Sequence, residues 1–124
     1  MIQQTRITAT VASGATTADV TSEFFHGKIL KISMDVTGNS MDIDLDKVGE
    51  QVSQKILNIT GNTDTTFYPR VQLEDNTGSA LDLSDTEGGD TKVFGPFVVF
   101  GKVKLSLASA AGAETVTMEI TYED

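Results

Sequence analysis

Three aspartates at alternate positions, Asp42, Asp44 and Asp46, come nearest of all side chains in this sequence to a known metal-binding spacing. They match the opening of an EF-hand calcium loop, whose carboxylate oxygens hold the ion. That loop needs glycine at its sixth position and glutamate at its twelfth, where this chain has Lys47 and Ser53. The motif is therefore incomplete, and carboxylates at this spacing on a strand predict a solvated face instead.

A second acidic set lies in the glycine-rich stretch between Arg70 and Lys92, which contains no basic residue. Carboxylates and carbonyls of such a loop suit calcium, but no spacing rule is met. We interpret residues 74–90 as a charged surface loop and expect no intrinsic calcium dependence, although calcium binding there stays open. The six acids are Glu74, Asp75, Asp82, Asp85, Glu87 and Asp90.

Groups for covalent or acid–base catalysis are scarce. His26 is the one histidine, it follows two phenylalanines, and the chain has no cysteine. A lone histidine beside aromatic residues is typical of packing rather than of catalysis. No serine lies in a Gly-x-Ser-x-Gly elbow and no lysine in a phosphate-binding glycine loop. We therefore predict that the protein is not an enzyme and uses no cofactor and no metal.

The elements that position these residues are predicted to be strands, because apolar residues recur at every second position and threonine is common. One strand places Leu30, Ile32, Met34 and Val36 on its buried face. Pro69 should put its strand at a sheet edge or a bulge. The predicted strands cover Thr5–Ala12, Lys28–Val36, Met41–Asp46, Lys55–Ile59, Thr65–Leu73, a short piece at Ala80–Leu83, Phe97–Ala108 and Thr115–Tyr122.

Two hairpins are expected among these strands. The turn at residues 37–40 should join the second strand to the third, and the last two strands should pair with Lys104 opposite Glu119. Many short strands without a strong helix predict an all-β fold, a single antiparallel β-sandwich of jelly-roll or immunoglobulin-like topology over residues 1–124. The order of the strands stays open.

Length and charge narrow the class of protein. A chain of 124 residues makes one domain. Its net charge of −9 should repel nucleic acids and anionic membranes, so neither is expected as a partner. No apolar run is long enough for a signal peptide or a membrane span. Together with the lack of cysteine, this predicts a bacterial cytoplasm, or a virion assembled there, as the location.

One segment, residues 93–101, is apolar on both faces of its strand. If Val99 points into the sandwich, Val98 and Phe100 point out of it. Something must cover them, either a loop of the same chain or a partner. The predicted protein-interface residues are Tyr68, Phe97, Val98 and Phe100, although strict alternation would turn Phe97 inward.

The small size, acidity and lack of cysteine of this chain go together with a set of threonine-rich and apolar strands. The segments concerned are Thr5–Val11, Phe67–Arg70, Phe97–Ala108 and Thr115–Tyr122. In these features the chain resembles the decoration, or cement, proteins that coat the capsids of tailed bacteriophages. The resemblance implies a non-enzymatic homo-oligomer, with a trimer favoured, bound on the capsid exterior to the lattice of major capsid protein. There it would hold neighbouring capsomers against internal DNA pressure.

Two alternatives belong to other classes. A carbohydrate-binding or adhesin module of a virion fibre or tail would share the sandwich fold, although the chain has no tryptophan to stack on a sugar. A small calcium-dependent or hydrolytic enzyme would show metal-dependent stabilisation or turnover. The gene's neighbours would separate these alternatives from the capsid interpretation.

Overall fold

The computed structural model describes residues 1–49, 53–79 and 92–124, which form ten β-strands and no helix. No helix in this part of the chain could therefore cross a membrane. The strands are β1 (Ile2–Thr10), β2 (Ala18–Thr21), β3 (Phe25–Thr37), β4 (Met41–Val48), β5 (Gln54–Gly61), β6 (Thr65–Phe67), β7 (Arg70–Gln72), β8 (Phe94–Pro96), β9 (Val98–Ala108) and β10 (Thr115–Glu123).

Eight of these strands make a β-sandwich of two antiparallel sheets. The first sheet has the order β1-β10-β3-β6, and the second has the order β2-β9-β4-β5. The first strand lies beside the last and successive strands mostly change sheets, which is the strand order of a jelly roll. The prediction of a single all-β sandwich is confirmed, and the jelly-roll alternative is the one that applies.

Hydrogen bonding continues from one sheet to the other along one edge of the sandwich. The first four residues of β3, Phe25–Lys28, pair with Val98–Gly101 of β9. The rest of β9 then pairs with β2 and β4 in the second sheet. Strand β9 thus begins beside the first sheet and ends inside the second. The remaining strands, β7 and β8, form a separate two-stranded ribbon directly before β9.

The core lies between the sheets and follows the alternation expected from the sequence. Branched aliphatic and methionine side chains fill it from both sides, as close packing requires. The first sheet supplies Ile7, Ala9, Ile32, Met34, Val116, Met118 and Ile120. The second supplies Met41, Ile43, Leu45, Ile56, Val103, Leu105 and Leu107.

Neither predicted hairpin forms. Strand β3 belongs to the first sheet and β4 to the second, so residues 38–40 arch between the sheets. Residues 109–114 likewise carry the chain from β9 to β10 in the opposite sheet. The Lys104 ammonium therefore lies 3.7 Å from the Asp19 carboxylate, whereas the Glu119 carboxylate lies 2.6 Å from the Arg6 guanidinium. Alternation shows which side of a strand is buried, but it does not show the strand's hydrogen-bonding partner.

Two strands depart from the predicted alternation or length. Leu30 is the extra residue of a bulge, because Lys31 pairs with Thr121 while Ile29 pairs with Tyr122. The bulge reverses the alternation, so Ile29 is buried and Leu30 is exposed, against the prediction. The predicted strand over residues 65–73 is divided into β6 and β7 at Pro69, which has no backbone N–H to donate.

The predicted strand at Lys55–Ile59 is confirmed and extends over the whole of β5. The predicted piece at Ala80–Leu83 lies outside the described residues. So do four of the six loop acids, Asp82, Asp85, Glu87 and Asp90.

A buried glutamate ties the two arches together at one end of the sandwich. Glu114 is 4% exposed, and its carboxylate accepts the backbone N–H of Asn39 at 2.8 Å and that of Ala111 at 3.1 Å. Its methylene groups fill the space beside Gly38, where an added Cβ would clash with the Glu114 Cγ. One side chain thus hydrogen bonds to both arches.

Candidate interaction surface

The ribbon and the start of β9 present a continuous alternation from Phe94 to Phe100. Phe97 and Val99 point into the sandwich, while Phe94, Val98 and Phe100 point out. Val98 is 54% exposed and Phe100 is 66% exposed. We call the outward apolar side chains, together with the exposed Phe24, the apolar stripe: Phe24, Phe94, Pro96, Val98 and Phe100.

The stripe is supported by paired strands along its length. His26 of β3 pairs with Phe100, and Lys28 pairs with Val98. In the ribbon, Arg70 pairs with Pro96. Each of these partners is a polar or basic residue on the same side of the strand pair. The stripe therefore has apolar residues along one strand and polar or basic residues along the next.

The aromatic rings at one end of the stripe are held by each other. The ring of Phe24 meets that of Phe100 edge to face, with centroids 5.2 Å apart, and the His26 ring lies 6.3 Å from the same phenyl ring. An edge-to-face pair is a favourable geometry for two aromatic rings. The contact favours this orientation of the exposed Phe100 ring.

Charged groups flank the stripe. Lys28 forms an ion pair with Glu123 at 3.0 Å, and the Lys47 ammonium donates to the backbone carbonyl of Val98 at 2.8 Å. Lys102 occupies the next outward position along β9 after Phe100. The basic side chains are noteworthy in a chain that carries twice as many acids as bases. The stripe is thus bordered by charged groups of both signs, Lys28 and Lys102 together with Glu123.

The four residues predicted for an interface do not all reach this surface. Val98 and Phe100 lie on it, and Tyr68 is 64% exposed between β6 and β7. Phe97 is 5% exposed and belongs to the core, so its assignment to an exposed interface is wrong. The reason is the strict alternation, which turns every odd-numbered side chain from residue 95 to residue 107 inward.

Three residues of the stripe, Phe24, Phe94 and Pro96, were not among the predicted interface residues. Phe94 has the same parity as Val98 and Phe100, so extending the alternation four residues backwards would have found it. Phe24 precedes its strand, and only its ring contact with Phe100 brings it to the stripe. No periodic signal marks that position.

The three alternating aspartates of β4 point away from the core, as expected. The Lys55 ammonium lies 3.3 Å from both Asp44 and Asp46, and the Thr60 hydroxyl donates to Asp42 at 2.8 Å. Desolvation lowers the pKa of Lys55, but its hydrogen bonds and charge interactions with the two aspartates outweigh that effect and raise the pKa overall. The opposite charges thus pair across two neighbouring strands, and the Lys55 ammonium occupies the place between the carboxylates that a metal ion would need.

The described part of the acidic loop contains a turn that accounts for one of its carboxylates. Asp75 accepts the hydroxyl of Thr77 at 2.6 Å and the backbone N–H groups of Thr77 and Ser79. These hydrogen bonds, that of the hydroxyl first, lower the pKa of Asp75. Within residues 1–49, 53–79 and 92–124, no three histidine or acidic side chains are grouped as a metal site would need.

The outer face of the first sheet carries a shallow polar groove of about 480 Å³. An ion pair of Arg6 with Glu119 crosses it at 2.6 Å. The hydroxyls of Thr8 and Thr117 hydrogen bond at 3.0 Å, and Asp35 adds a further carboxylate. The groove offers hydrogen-bonding groups but no aromatic ring.

The fold and these surfaces define an acidic jelly-roll sandwich with one apolar face bordered by charges of both signs and a polar groove elsewhere. Comparison of the chain with protein-family models, curated proteins and solved structures finds no match. Fold alone does not determine function, since jelly rolls serve unrelated roles. The surfaces of the sandwich, rather than its fold, therefore indicate function.

Proposed function

We propose that this protein is a non-enzymatic structural protein of a virion, which decorates and stabilises the outer surface of a tailed-phage capsid as an oligomer. Its partner would be the lattice of major capsid protein. The protein would be made in the host cytoplasm and carried on the capsid exterior. A trimer is the oligomer that the resemblance favours.

The apolar stripe is the observation that supports this proposal most. Phe100 and Val98 stand in water on a rigid strand pair, and leaving such side chains exposed forgoes roughly 1.5 to 3 kcal/mol each. Exposed apolar patches of this kind mark protein–protein surfaces.

Charge and shape fit the exterior of a capsid. A protein with a net charge of −9 would be repelled by packaged phosphate on the inside of the shell but not on the outside. A small sandwich whose core is closed on both sides can be rigid enough to bridge neighbouring capsomers. An oligomer would multiply modest single contacts, so that each copy needs little affinity of its own.

Shells assembled from the major capsid protein of the same genome test the proposal. The gene should lie near a major capsid gene, and the purified chain should sediment with shells of that capsid protein. The Val98→Ser, Phe100→Ser double variant should fold but sediment with shells far more weakly. A chain that stays in the supernatant with every shell tested, at any concentration, would contradict the proposal.

The polar groove supports a second candidate, a carbohydrate-binding or adhesin module of a virion fibre or tail. Its guanidinium, carboxylate and hydroxyl groups are those that bind sugar hydroxyls. A glycan array tests this, with Arg6→Ala as the variant that should lose binding. Absence of binding to every glycan would count against this second candidate.

A further inference from the structure

The apolar stripe is comparable in area to the largest apolar patches found on monomers. Its three phenylalanines are each more than half exposed. With about 200 Å² per aromatic side chain, they leave on the order of 350 Å² of aromatic surface in water. Val98 and Pro96 bring the patch above roughly 400 Å², within the range of the largest patches on monomers, which are often functional.

From Val98, a row of outward side chains continues across three strands of the first sheet. Val98 pairs with Lys28, Lys28 with Glu123, and Glu123 with Ile2, so four adjacent strands contribute one outward row. Ile2 is exposed as well. The row therefore has an apolar side chain at each end and an ion pair of both signs in the middle.

We infer that a second copy of this chain covers the apolar stripe. The inference deepens the proposed function by naming the partner at this surface, and it rests on the oligomeric part of that proposal. An ordinary interface buries about 800 Å² on each side, of which a little over half is apolar. The stripe supplies nearly that apolar share by itself, which leaves only a polar rim to be added.

The charges around the stripe suit a contact between identical copies. Two chains that each carry −9 repel at long range, and opposite charges that meet across a contact would offset part of this repulsion. This face carries Lys28, Arg70 and Lys102 beside the aromatic rings, with Glu123 paired to the first of them. In a contact between two copies, Lys28 of one can also reach Glu123 of the other.

The rings are also arranged as the centre of an interface. Phe100 already meets Phe24 edge to face before any partner binds, which lowers the conformational entropy lost when the ring is buried. Aromatic side chains near the centre of an interface commonly contribute most of the binding free energy. The lysines and arginine at the border would form the polar rim.

Sedimentation velocity of the purified chain tests the inference, because the monomer has a mass of 13.2 kDa. Wild type should sediment as a dimer or trimer that dissociates on dilution. The Val98→Ser, Phe100→Ser variant should sediment as a monomer, with self-association weakened roughly a hundredfold or more. Thr10→Ala changes an exposed side chain at the end of β1 opposite Ile2, outside the stripe, and should behave as wild type.

Two further variants keep the test decisive if the double serine variant unfolds. Phe24→Ala removes a ring outside any strand and should weaken self-association without loss of fold. Lys28→Glu should weaken it, and Lys28→Glu combined with Glu123→Lys should restore it. Wild type that stays monomeric at every concentration overturns the inference, as does a stripe variant that folds and associates as wild type does.

The shell experiment separates this inference from the proposed function. A monomer that still sediments with shells would overturn the self-contact and leave the capsid partner in place. An oligomer that dissociates through the stripe variants but never binds shells would leave the self-contact in place and overturn the capsid partner.

Discussion

Glu114→Gln tests how the two arches, residues 38–40 and 109–114, are held together. The Glu114 carboxylate is buried and accepts one backbone N–H from each arch, those of Asn39 and Ala111. Glutamine has nearly the same shape but only one acceptor oxygen. Its amide NH₂ would face one of these two N–H groups, so one hydrogen bond is lost and two donors meet.

The magnitude follows from the two hydrogen bonds and their burial. A hydrogen bond to a charged group contributes about 1.5 to 3 kcal/mol, and an unsatisfied buried donor costs about 1 to 3 kcal/mol. We therefore expect the free energy of unfolding to fall by about 2 to 4 kcal/mol. For 124 residues, the entropy of unfolding converts each kcal/mol into about 4 °C of Tm, so Tm should fall by about 8 to 16 °C.

Thermal and urea unfolding followed by circular dichroism measure this effect. The matched control is Glu119→Gln, the same substitution at a surface ion pair with Arg6, which should cost less than about 1 kcal/mol. If Glu114→Gln costs no more than Glu119→Gln, the buried carboxylate does not hold the arches and the reasoning is refuted.

Three further predictions concern the core, the first arch and the acidic turn. Phe97→Ala should lower the free energy of unfolding by about 3 to 5 kcal/mol in urea titrations, since the ring is core, and a loss below 1 kcal/mol would contradict this. Gly38→Ala should destabilise the protein more than Gly14→Ala, because both glycines have positive φ but only Gly38 has Glu114 against its Cβ position; equal losses would contradict that contact. The lowered pKa of Asp75 means that its turn is stabilised above the ordinary pKa of 3.8 and loses that stability as pH falls below it, so the Asp75 carboxyl carbon should titrate by NMR below pH 3.8, and a midpoint above 3.8 would contradict the turn.

The sequence predicts which side chains are buried better than it predicts which strands lie in the same sheet. Alternation correctly placed Ile43, Leu45 and Val103 in the core and Phe100 outside, because a half-buried strand must separate its two faces. It could not place β3 and β4 in opposite sheets. A short turn can fold back within a sheet or arch about 10 Å to the facing one, and both satisfy the same pattern.

Local irregularities account for the other differences. The bulge at Leu30 adds a residue that no composition signal marks, and it reverses the alternation before it. Pro69 did signal a break, but the sequence left open whether the strand would bend or end. Glu114 was missed because a glutamate after small residues resembles any loop acid until its backbone partners are known.

Only part of the candidate surface could be predicted from the sequence, because alternation gives the side of a strand on which a residue lies but not the strand's partners. Val98 and Phe100 follow from parity once Val99 is placed inside. Phe24 and the flanking Lys28 and Glu123 depend on strand pairing across the sandwich edge, which parity does not contain.

The number of copies of this chain in purified virions tests the central claim most directly. Quantitative mass spectrometry of particles from a phage that encodes the chain should find it in a fixed ratio to the major capsid protein, with a stripe-variant phage losing it from the particles. Its absence from intact wild-type particles, while the chain is abundant in the infected cell, would contradict the claim that it is a capsid exterior protein.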